Sequence, residues 1–174
     1  GRTFQMALTE ARHHNIDWMS FLAFDSFKGF PKKNTYSHSY SISESENNQL
    51  DTLFLDRDGV INKIFMKDGL PISPPTFEEL EILPKVKDSI SILRELNFLS
   101  LVVTNQPDIS RKKISLKTVE KINNFLQNET KFDDLFVCYH DDHDNCLCRK
   151  PKPGLILNAA EKWNVDLKKS FMIG

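Results

Sequence analysis

Two aspartates, one residue apart, stand at the end of a short apolar run in the segment TLFLDRDGVIN, residues 52–62. The run predicts a buried strand, and residues two apart on a strand point the same way, so Asp56 and Asp58 should face one pocket. Gly59 allows the chain to turn sharply just beyond them. Two carboxylates in one crevice favour a bound cation. The competing interpretation is a strand that ends in an ordinary polar turn.

All three cysteines of the chain lie within residues 138–148, where a C-x-H pair is followed by a C-x-C pair. Three thiolates and one imidazole fill the tetrahedral coordination of a zinc ion and leave no open position for catalysis. This crowding favours a metal site over a disulfide framework. The alternatives are reduced cysteines without a metal, and His143 as a substitute ligand. The predicted zinc ligands are Cys138, His140, Cys146 and Cys148.

Two further polar segments carry groups that suit phosphate. The triplet TNQ follows an apolar run, and the hydroxyl of Thr104 and the amide of Asn105 can donate hydrogen bonds to phosphoryl oxygens as charge builds there. Directly after the last cysteine, the planar fork of Arg149 suits bidentate phosphate recognition, while Lys150 acts as a point charge. Taken alone, each segment is equally compatible with a solvated polar turn.

Strand and helix patterns alternate along the rest of the chain and would bring these groups together. They predict an α/β fold, an open and mostly parallel sheet with helices on both faces, with the site where the carboxyl ends of the strands meet. The segment 63–84, with Gly69 and four prolines, predicts a loop and short hairpin over the site and is too short for a large cap domain. Strands are predicted at 98–103, 135–139 and 171–173, apolar helix stripes at Val86/Ile90/Leu93/Leu96 and Leu116/Val119/Ile122/Leu126, a third helix at 155–163, and a helix cap at Ser115.

The motifs resemble those of one enzyme superfamily. Residues 54–62, FLDRDGVIN, are similar to the first motif of the haloacid dehalogenase (HAD) superfamily, in the branch that holds histidinol-phosphate phosphatases and D-glycero-D-manno-heptose 1,7-bisphosphate phosphatases. The triplet TNQ resembles the second motif, CRKPKPG resembles the third, and the C-x-H and C-x-C pairs resemble the zinc loop of that branch. The resemblance covers residues 51–174. The chain departs from it at Pro107 and Asp108, where such enzymes usually have Ser-Gly, and this puts the local loop geometry in question.

The resemblance implies a magnesium-dependent phosphomonoesterase with a covalent aspartyl-phosphate intermediate. Asp56 would be the nucleophile, and Asp58 would protonate the leaving oxygen and then activate water. Magnesium would bridge Asp56 and the phosphate, with the main-chain carbonyl of Asp58 as a further ligand. The developing charge would be stabilised by Thr104, Asn105, Arg149 and Lys150.

The resemblance also implies a third acidic magnesium ligand directly after the last strand, in a pattern like Ile-Gly-Asp. The sequence ends at Gly174, so we expect that acid to be missing here and turnover to be slow. A sugar phosphate or bisphosphate of the heptose kind is the first choice of substrate, and an amino-alcohol phosphate of the histidinol kind is the second. A binding module with the HAD fold but no turnover is a rival from another class.

The beginning of the chain suggests a second module. Residues 1–32 are predicted to form a partial α/β segment, and residues 33–50 a polar linker. The run FLAFDSFKGFP, residues 21–31, resembles the second-strand region of class I S-adenosylmethionine-dependent sugar O-methyltransferases, with Asp25 at the ribose-binding place. The Gly-rich turn that should precede this run is missing, so an α/β appendage is the alternative. A true methyltransferase remnant would suggest glycan biosynthesis.

Charge and hydropathy bear on the partners. Lysine and arginine total 23 against 24 aspartates and glutamates, so no basic footprint for nucleic acid or an anionic membrane stands out. No apolar run approaches the roughly 20 residues of a membrane span. We expect a cytoplasmic monomer whose partner is a small phosphorylated sugar or amino alcohol.

Overall fold

The computed structural model describes residues 50–174. The predicted N-terminal segment, its methyltransferase-like run with Asp25, and all but the last residue of the predicted linker lie outside the described residues. The elements in chain order are β1 (Thr52–Leu55), β2 (Phe65–Lys67), β3 (Leu70–Ile72), α1 (Val86–Glu95), β4 (Leu99–Asn105), α2 (Leu116–Thr130), β5 (Asp134–Cys138), α3 (Gly154–Trp163) and β6 (Ser170–Ile173).

Four strands form one parallel sheet in the order β5-β4-β1-β6, which confirms the predicted architecture. All four residues of β1 are buried, as expected for an interior strand covered on both faces. The chain leaves β1 to build β4 and β5 on one side and returns to place β6 on the other. The crevice at the carboxyl end of β1 therefore lies at the switch point where open α/β sheets bind ligands.

Helices cover both faces of the sheet, as predicted. Every second residue of β4, namely Leu99, Leu101 and Val103, packs in one apolar cluster with Leu155 and Ala159 of α3. The buried stripes of α1 and α2 are not part of this cluster, and these two helices pack against each other and against β4 and β5. The intervening residues of β4 are also buried, so the strand is enclosed on both sides.

The predicted apolar stripes of α1 and α2 are each one residue too long. Leu96 follows the last residue of α1 and is exposed, and Leu116 is the first residue of α2 and is exposed as well. The buried stripe of α2 therefore starts at Val119, one turn into the helix. The predicted cap is confirmed, because the main-chain N–H of Thr118 donates to Ser115 Oγ at 3.0 Å.

Strands β2 and β3 form a small antiparallel hairpin, as predicted for the segment after the acid pair. Its two turn residues, Asp68 and Gly69, have φ of 52° and 75°, the left-handed values that a tight hairpin turn requires. Ser73, the residue after β3, reaches the carboxylate of Asp58. Within residues 50–174 this short hairpin stands where a cap domain would otherwise be inserted.

Candidate active site at the carboxyl ends of the strands

Asp56 follows β1 directly and is the best-exposed carboxylate at the sheet edge. Its main-chain N–H donates to the carbonyl of Ile173 at 2.8 Å, which extends the β1–β6 ladder and fixes the backbone. One carboxylate oxygen accepts from the main-chain N–H of Arg57 at 2.7 Å, and the other pairs with Lys150 Nζ at 2.8 Å. The side chain is still 29% exposed, so a substrate can reach it.

Lys150 is held from three directions. Its ammonium also donates to the carbonyl of Val103 at 2.8 Å. Its main-chain N–H donates to Asn105 Oδ1 at 3.0 Å, and its carbonyl accepts from Asn105 Nδ2 at 3.1 Å. The Asn105 amide, predicted to bind phosphate, therefore positions the lysine in this structure. Its contact with phosphate stays a prediction.

Asp58 lies in a cage of donors. One of its oxygens accepts from Asn62 Nδ2 at 2.9 Å, and the other accepts from Ser73 Oγ at 2.8 Å and Gln106 Nε2 at 2.7 Å. The Arg57 guanidinium donates to both oxygens. Burial alone would raise the pKa of Asp58, but the Arg57 charge and the hydrogen bonds from Asn62, Arg57 and Ser73 outweigh it and lower that pKa. The free site therefore holds Asp58 as a carboxylate.

Arg57 is the largest fully buried side chain within residues 50–174, with 1% of its surface exposed. Besides Asp58, its guanidinium donates to Asn123 Oδ1 of α2 at 2.9 Å. Sequence reasoning assigned no role to Arg57. Its position between two acids at the end of a buried strand was the sequence feature that could have indicated a role, because a buried arginine needs a charged partner.

Thr104 was predicted to donate to phosphate, yet it is buried at the end of β4. Its hydroxyl accepts from Gln106 Nε2 at 2.9 Å, and that same nitrogen bonds Asp58. The second polar triplet thus reaches the acid pair through Gln106, which sequence reasoning left without a role. The role of Thr104 in binding phosphate stays a prediction.

The structure brings the four predicted zinc ligands together, with their donor atoms all within 4.8 Å of one another. The three sulfur pairs lie 3.3, 3.5 and 3.7 Å apart, and His140 Nδ1 lies 3.3 Å from Cys148 Sγ and 3.6 Å from Cys138 Sγ. Sulfurs at the corners of a zinc tetrahedron are about 3.8 Å apart, so the donor set fits that ion. His143 is exposed and is not part of the set.

Without a metal the thiols are crowded and differ in acidity. Burial and the neighbouring Cys148 raise the pKa of Cys138 to about 12. At Cys146 desolvation would raise the pKa, but the main-chain N–H of Arg149 and the adjacent sulfurs outweigh it and lower that pKa to about 7. Because zinc binds thiolates, it must displace the proton of Cys138, and a divalent cation then relieves the crowding of charge.

A close backbone crossing fastens this loop to the start of α3. A Cβ atom at Gly154 would lie 2.4 Å from the carbonyl oxygen of Leu147, so only glycine fits. Its N–H donates to the same oxygen at 3.2 Å. Lys152 is exposed, and its ammonium donates to the carbonyl of Cys146 at 2.7 Å.

Arg149 is paired within the loop itself. Its Nε donates to Asp142 at 2.6 Å and its Nη1 to the carbonyl of His140 at 3.4 Å. Arg111, in the loop after Gln106 that departs from the family pattern, pairs with Asp141 at 2.5 Å. This ion pair joins that loop to the metal loop, residues 138–148. Asp142 is 69% exposed, so its pairing with Arg149 is weak enough for a phosphate to replace it.

A parallel sheet whose interior strand β1 ends in a partly exposed aspartate, with a lysine ammonium on that aspartate and a hydrogen-bonded second acid two residues later, is the arrangement that the sequence motifs predict for an α/β phosphatase of the HAD type. Comparison with known proteins identifies the branch, although no family model matches the sequence.

The chain is 37% identical over 128 residues to the D-glycero-beta-D-manno-heptose-1,7-bisphosphate 7-phosphatase of Helicobacter pylori, covering 70% of each chain. It is 34% identical over 134 residues to the enzyme of the same name from Vibrio cholerae, covering 70% of this chain and 69% of that one. The chain therefore belongs to this family of phosphatases within the HAD superfamily.

A solved structure agrees. The fold matches D,D-heptose 1,7-bisphosphate phosphatase from B. bronchiseptica, complexed with magnesium and phosphate, with a TM-score of 0.58 and 29% identity. The match covers 68% of this chain and 66% of that one. The chain thus spans just under two thirds of the length of the solved protein.

Proposed function

We propose that this chain is a magnesium-dependent phosphomonoesterase that hydrolyses a small sugar phosphate or bisphosphate through an aspartyl-phosphate on Asp56. The observation that carries the proposal is the state of that carboxylate. The Asp56 side chain is 29% exposed, it accepts a hydrogen bond from the N–H of Arg57, and it pairs with Lys150 Nζ at 2.8 Å. The names of the relatives support a substrate of the heptose 1,7-bisphosphate kind.

In the first half-reaction a carboxylate oxygen of Asp56 attacks phosphorus, and the bond from phosphorus to the leaving oxygen breaks. Asp58, carrying a proton, gives it to that oxygen, so the product leaves as an alcohol. A bound phosphate adds negative charge beside Asp58 and so favours its protonated form in the complex. Lys150 offsets the charge that gathers between the nucleophile and the phosphoryl group.

In the second half-reaction water attacks phosphorus and releases Asp56. Asp58 is then a carboxylate and takes the proton of the attacking water. The donors around Asp58 stabilise this charged form, which matches its lowered pKa. Arg149 exchanges Asp142 for the substrate, either at the transferred phosphate or at a second phosphate of a bisphosphate.

The residues at the sheet edge fit magnesium, a cation that prefers oxygen ligands. The carboxylate of Asp56 and the main-chain carbonyl of Asp58 would hold it, since the Asp58 side chain is occupied by its donors. Bound magnesium lowers the repulsion between the nucleophile and the phosphate. A Cβ at Gly174 would lie 3.3 Å from Cβ of Asp56, so the backbone after β6 borders the same site.

Zinc would be held by Cys138, His140, Cys146 and Cys148. Four protein ligands leave no position for substrate or water, so zinc would stabilise the loop and take no part in the reaction. An ordered loop would hold Arg149, which follows the last ligand directly, where a substrate phosphate can reach it.

The setting of the enzyme is part of the proposal. No helix in residues 50–174 has both the length and the apolar character needed to cross a membrane. We propose a cytoplasmic monomer acting on a small phosphorylated sugar, in line with the near balance of positive and negative residues.

The test is phosphate release with magnesium present, from heptose 1,7-bisphosphate, histidinol phosphate and common sugar phosphates. It is made on the 174-residue chain and on a form with one Asp added after Gly174. We expect release that is fastest with the heptose compound and absent in Asp56→Asn, with the two forms compared under the same conditions. Phosphate release that persists in Asp56→Asn would contradict the assignment of Asp56 as the nucleophile. A folded, magnesium-supplied chain that releases phosphate from none of these compounds would favour a binding module.

A further inference from the structure

One contact of Asp58 differs in kind from the others. Ser73, which the hairpin delivers directly after β3, has its hydroxyl 2.8 Å from Asp58 Oδ2 and 3.3 Å from Gln106 Oε1. Gln106 in turn donates through Nε2 to the same oxygen of Asp58 at 2.7 Å. Three side chains from three separate segments thus form a ring of contacts around one carboxylate oxygen, in which the single hydroxyl hydrogen of Ser73 can point either to Asp58 or to Gln106.

The neighbours of Asp58 differ in what they can do. The Arg57 guanidinium and the amide nitrogens of Asn62 and Gln106 can only donate, whereas the Ser73 hydroxyl can donate or accept. Donors serve Asp58 well as a carboxylate. When Asp58 carries a proton, as the first half-reaction requires, that proton needs a hydrogen-bond acceptor. Without one, Asp58 would lose its hydrogen bond to Ser73 and the ring of contacts would open.

The geometry supplies that acceptor. The Ser73 hydroxyl can turn its hydrogen from Asp58 Oδ2 to Gln106 Oε1, which lies 3.3 Å away. Its oxygen is then free to accept the proton of Asp58 without any heavy atom moving. The three side chains therefore stay in place in both forms of Asp58. The hydrogen bond between Ser73 and Asp58 reverses its direction, and the hydrogen bond from Ser73 to Gln106 is gained in the protonated form.

We infer that Ser73 is a positioning residue for Asp58, assisted by Gln106 as the second acceptor, and that this is what the hairpin contributes to the reaction. The inference rests on the proposed function, in which Asp58 gives a proton and later takes one. Ser73 keeps the protonated Asp58 carboxyl group in one orientation in the first half-reaction, whereas in the second the donors Arg57, Asn62 and Gln106 hold the carboxylate without it. It does not touch the phosphorus or the leaving group itself.

If Ser73 has this role, the effect of removing its hydroxyl on the reaction rate should depend on how basic the leaving oxygen is. An alkyl leaving oxygen, as in a sugar phosphate, is strongly basic and needs a well-placed acid. An aryl leaving oxygen, as in p-nitrophenyl phosphate, departs readily with little help from a proton. Loss of the Ser73 hydroxyl should therefore slow the first kind of substrate far more than the second.

The experiment compares Ser73→Ala with Ser73→Thr on the form with an Asp added after Gly174, using the best sugar phosphate and p-nitrophenyl phosphate. We expect Ser73→Ala to lower kcat for the sugar phosphate about tenfold with little change in KM, as for loss of one hydrogen bond to a charged group. Its kcat for p-nitrophenyl phosphate should stay within about twofold of wild type. Ser73→Thr keeps the hydroxyl and should restore the sugar phosphate rate.

Ser89→Ala is the matched control. The Ser89 hydroxyl is buried in α1 and has no hydrogen-bond partner among the residues that the structure describes, so its loss should leave both substrates unaffected. Equal losses on both substrates in Ser73→Ala, or no rescue by Ser73→Thr, would overturn the inference in favour of a structural role. A wild-type protein without phosphate release would instead refute the proposed function on which the inference rests.

Discussion

The two halves of the site are supported in different ways. The half at the end of β1 rests on a buried strand, a sheet hydrogen bond to Ile173 and an arginine with 1% of its side chain exposed. The half formed by the metal loop, residues 138–148, has largely exposed residues around its four ligands and pairs such as Arg149 with Asp142. The groups that would react are therefore built into the sheet, and a cation that would bind phosphate depends on a loop.

Lys150 connects the two halves. It follows the metal loop in sequence, yet its ammonium contacts Asp56 and the carbonyl of Val103 in the sheet half. The Asn105 amide fixes its main chain from the end of β4. We therefore expect Lys150 to stay near Asp56 when the loop loses order, whereas Arg149 has no comparable hold on the sheet among the contacts described.

Breaking the sheet half should have the largest effect. Arg57→Met leaves the buried carboxylate of Asp58 and the amide of Asn123 without their charged partner, and should lower the free energy of unfolding by about 3–5 kcal/mol. Arg149→Met is the matched control, because this arginine pairs with an exposed acid, and should cost less than about 1 kcal/mol. Denaturant unfolding measures both. Similar losses of unfolding free energy in the two variants would show that the fold stabilises the two halves of the site equally.

Removing the metal should affect the other half alone. With a zinc-selective chelator and magnesium in excess, or in Cys148→Ser, the main-chain amides of residues 138–149 should lose protection from hydrogen exchange while those of β1 and β4 keep theirs. Activity should fall about tenfold, mainly through a higher KM as Arg149 loses its place. Uniform loss of protection across the sheet would mean that zinc stabilises the whole fold.

Acid should release the metal before it unfolds the sheet. In the metal-free cluster the pKa of Cys138 is about 12, so zinc binding displaces its proton and the affinity must fall as pH falls. Zinc retained after dialysis at decreasing pH, measured by atomic absorption beside circular dichroism, should drop while the α/β spectrum persists. A single midpoint for both signals would contradict the separation of the two halves.

The smallest effect is expected from Asp142→Asn, which frees the Arg149 guanidinium within an intact loop. Stability should change by less than about 0.5 kcal/mol, because the pair is exposed. The KM for a bisphosphate should fall about threefold and rise more steeply with salt. Glu120→Gln, at an exposed position past the first turn of α2, is the control that should change neither quantity. An unchanged KM in Asp142→Asn would show that Asp142 does not compete with the substrate for Arg149.

Sequence could predict what depends on local pattern. The strands, the hairpin and the cap at Ser115 follow from apolar spacing and turn residues, and the Cys/His cluster proposed to bind zinc follows from the spacing of its four residues. The ring around Asp58 could not be predicted in this way, because Ser73 and Gln106 are 15 and 48 positions away in the chain. Such contacts exist only once the strands have aligned their ends.

The residues whose surroundings differ from expectation also depend on contacts that form only in the folded chain. The pairing of Arg149 with Asp142 depends on how the metal loop folds back on itself, and no periodicity records that. The amide of Asn105 and the hydroxyl of Thr104 carry the chemistry of a phosphate site, yet folding turns them toward Lys150 and Gln106. Residue type indicated the chemistry available, and the packing decided which partner each group has.

The most direct test of the account is to trap the covalent intermediate. The form with an Asp added after Gly174 is mixed with magnesium and the best sugar phosphate, quenched in acid within one turnover, and digested for peptide mass mapping. The account predicts a phosphoryl group on the peptide that contains Asp56, absent in Asp56→Asn. Phosphate release in solution without phosphate ever appearing on that peptide would contradict it.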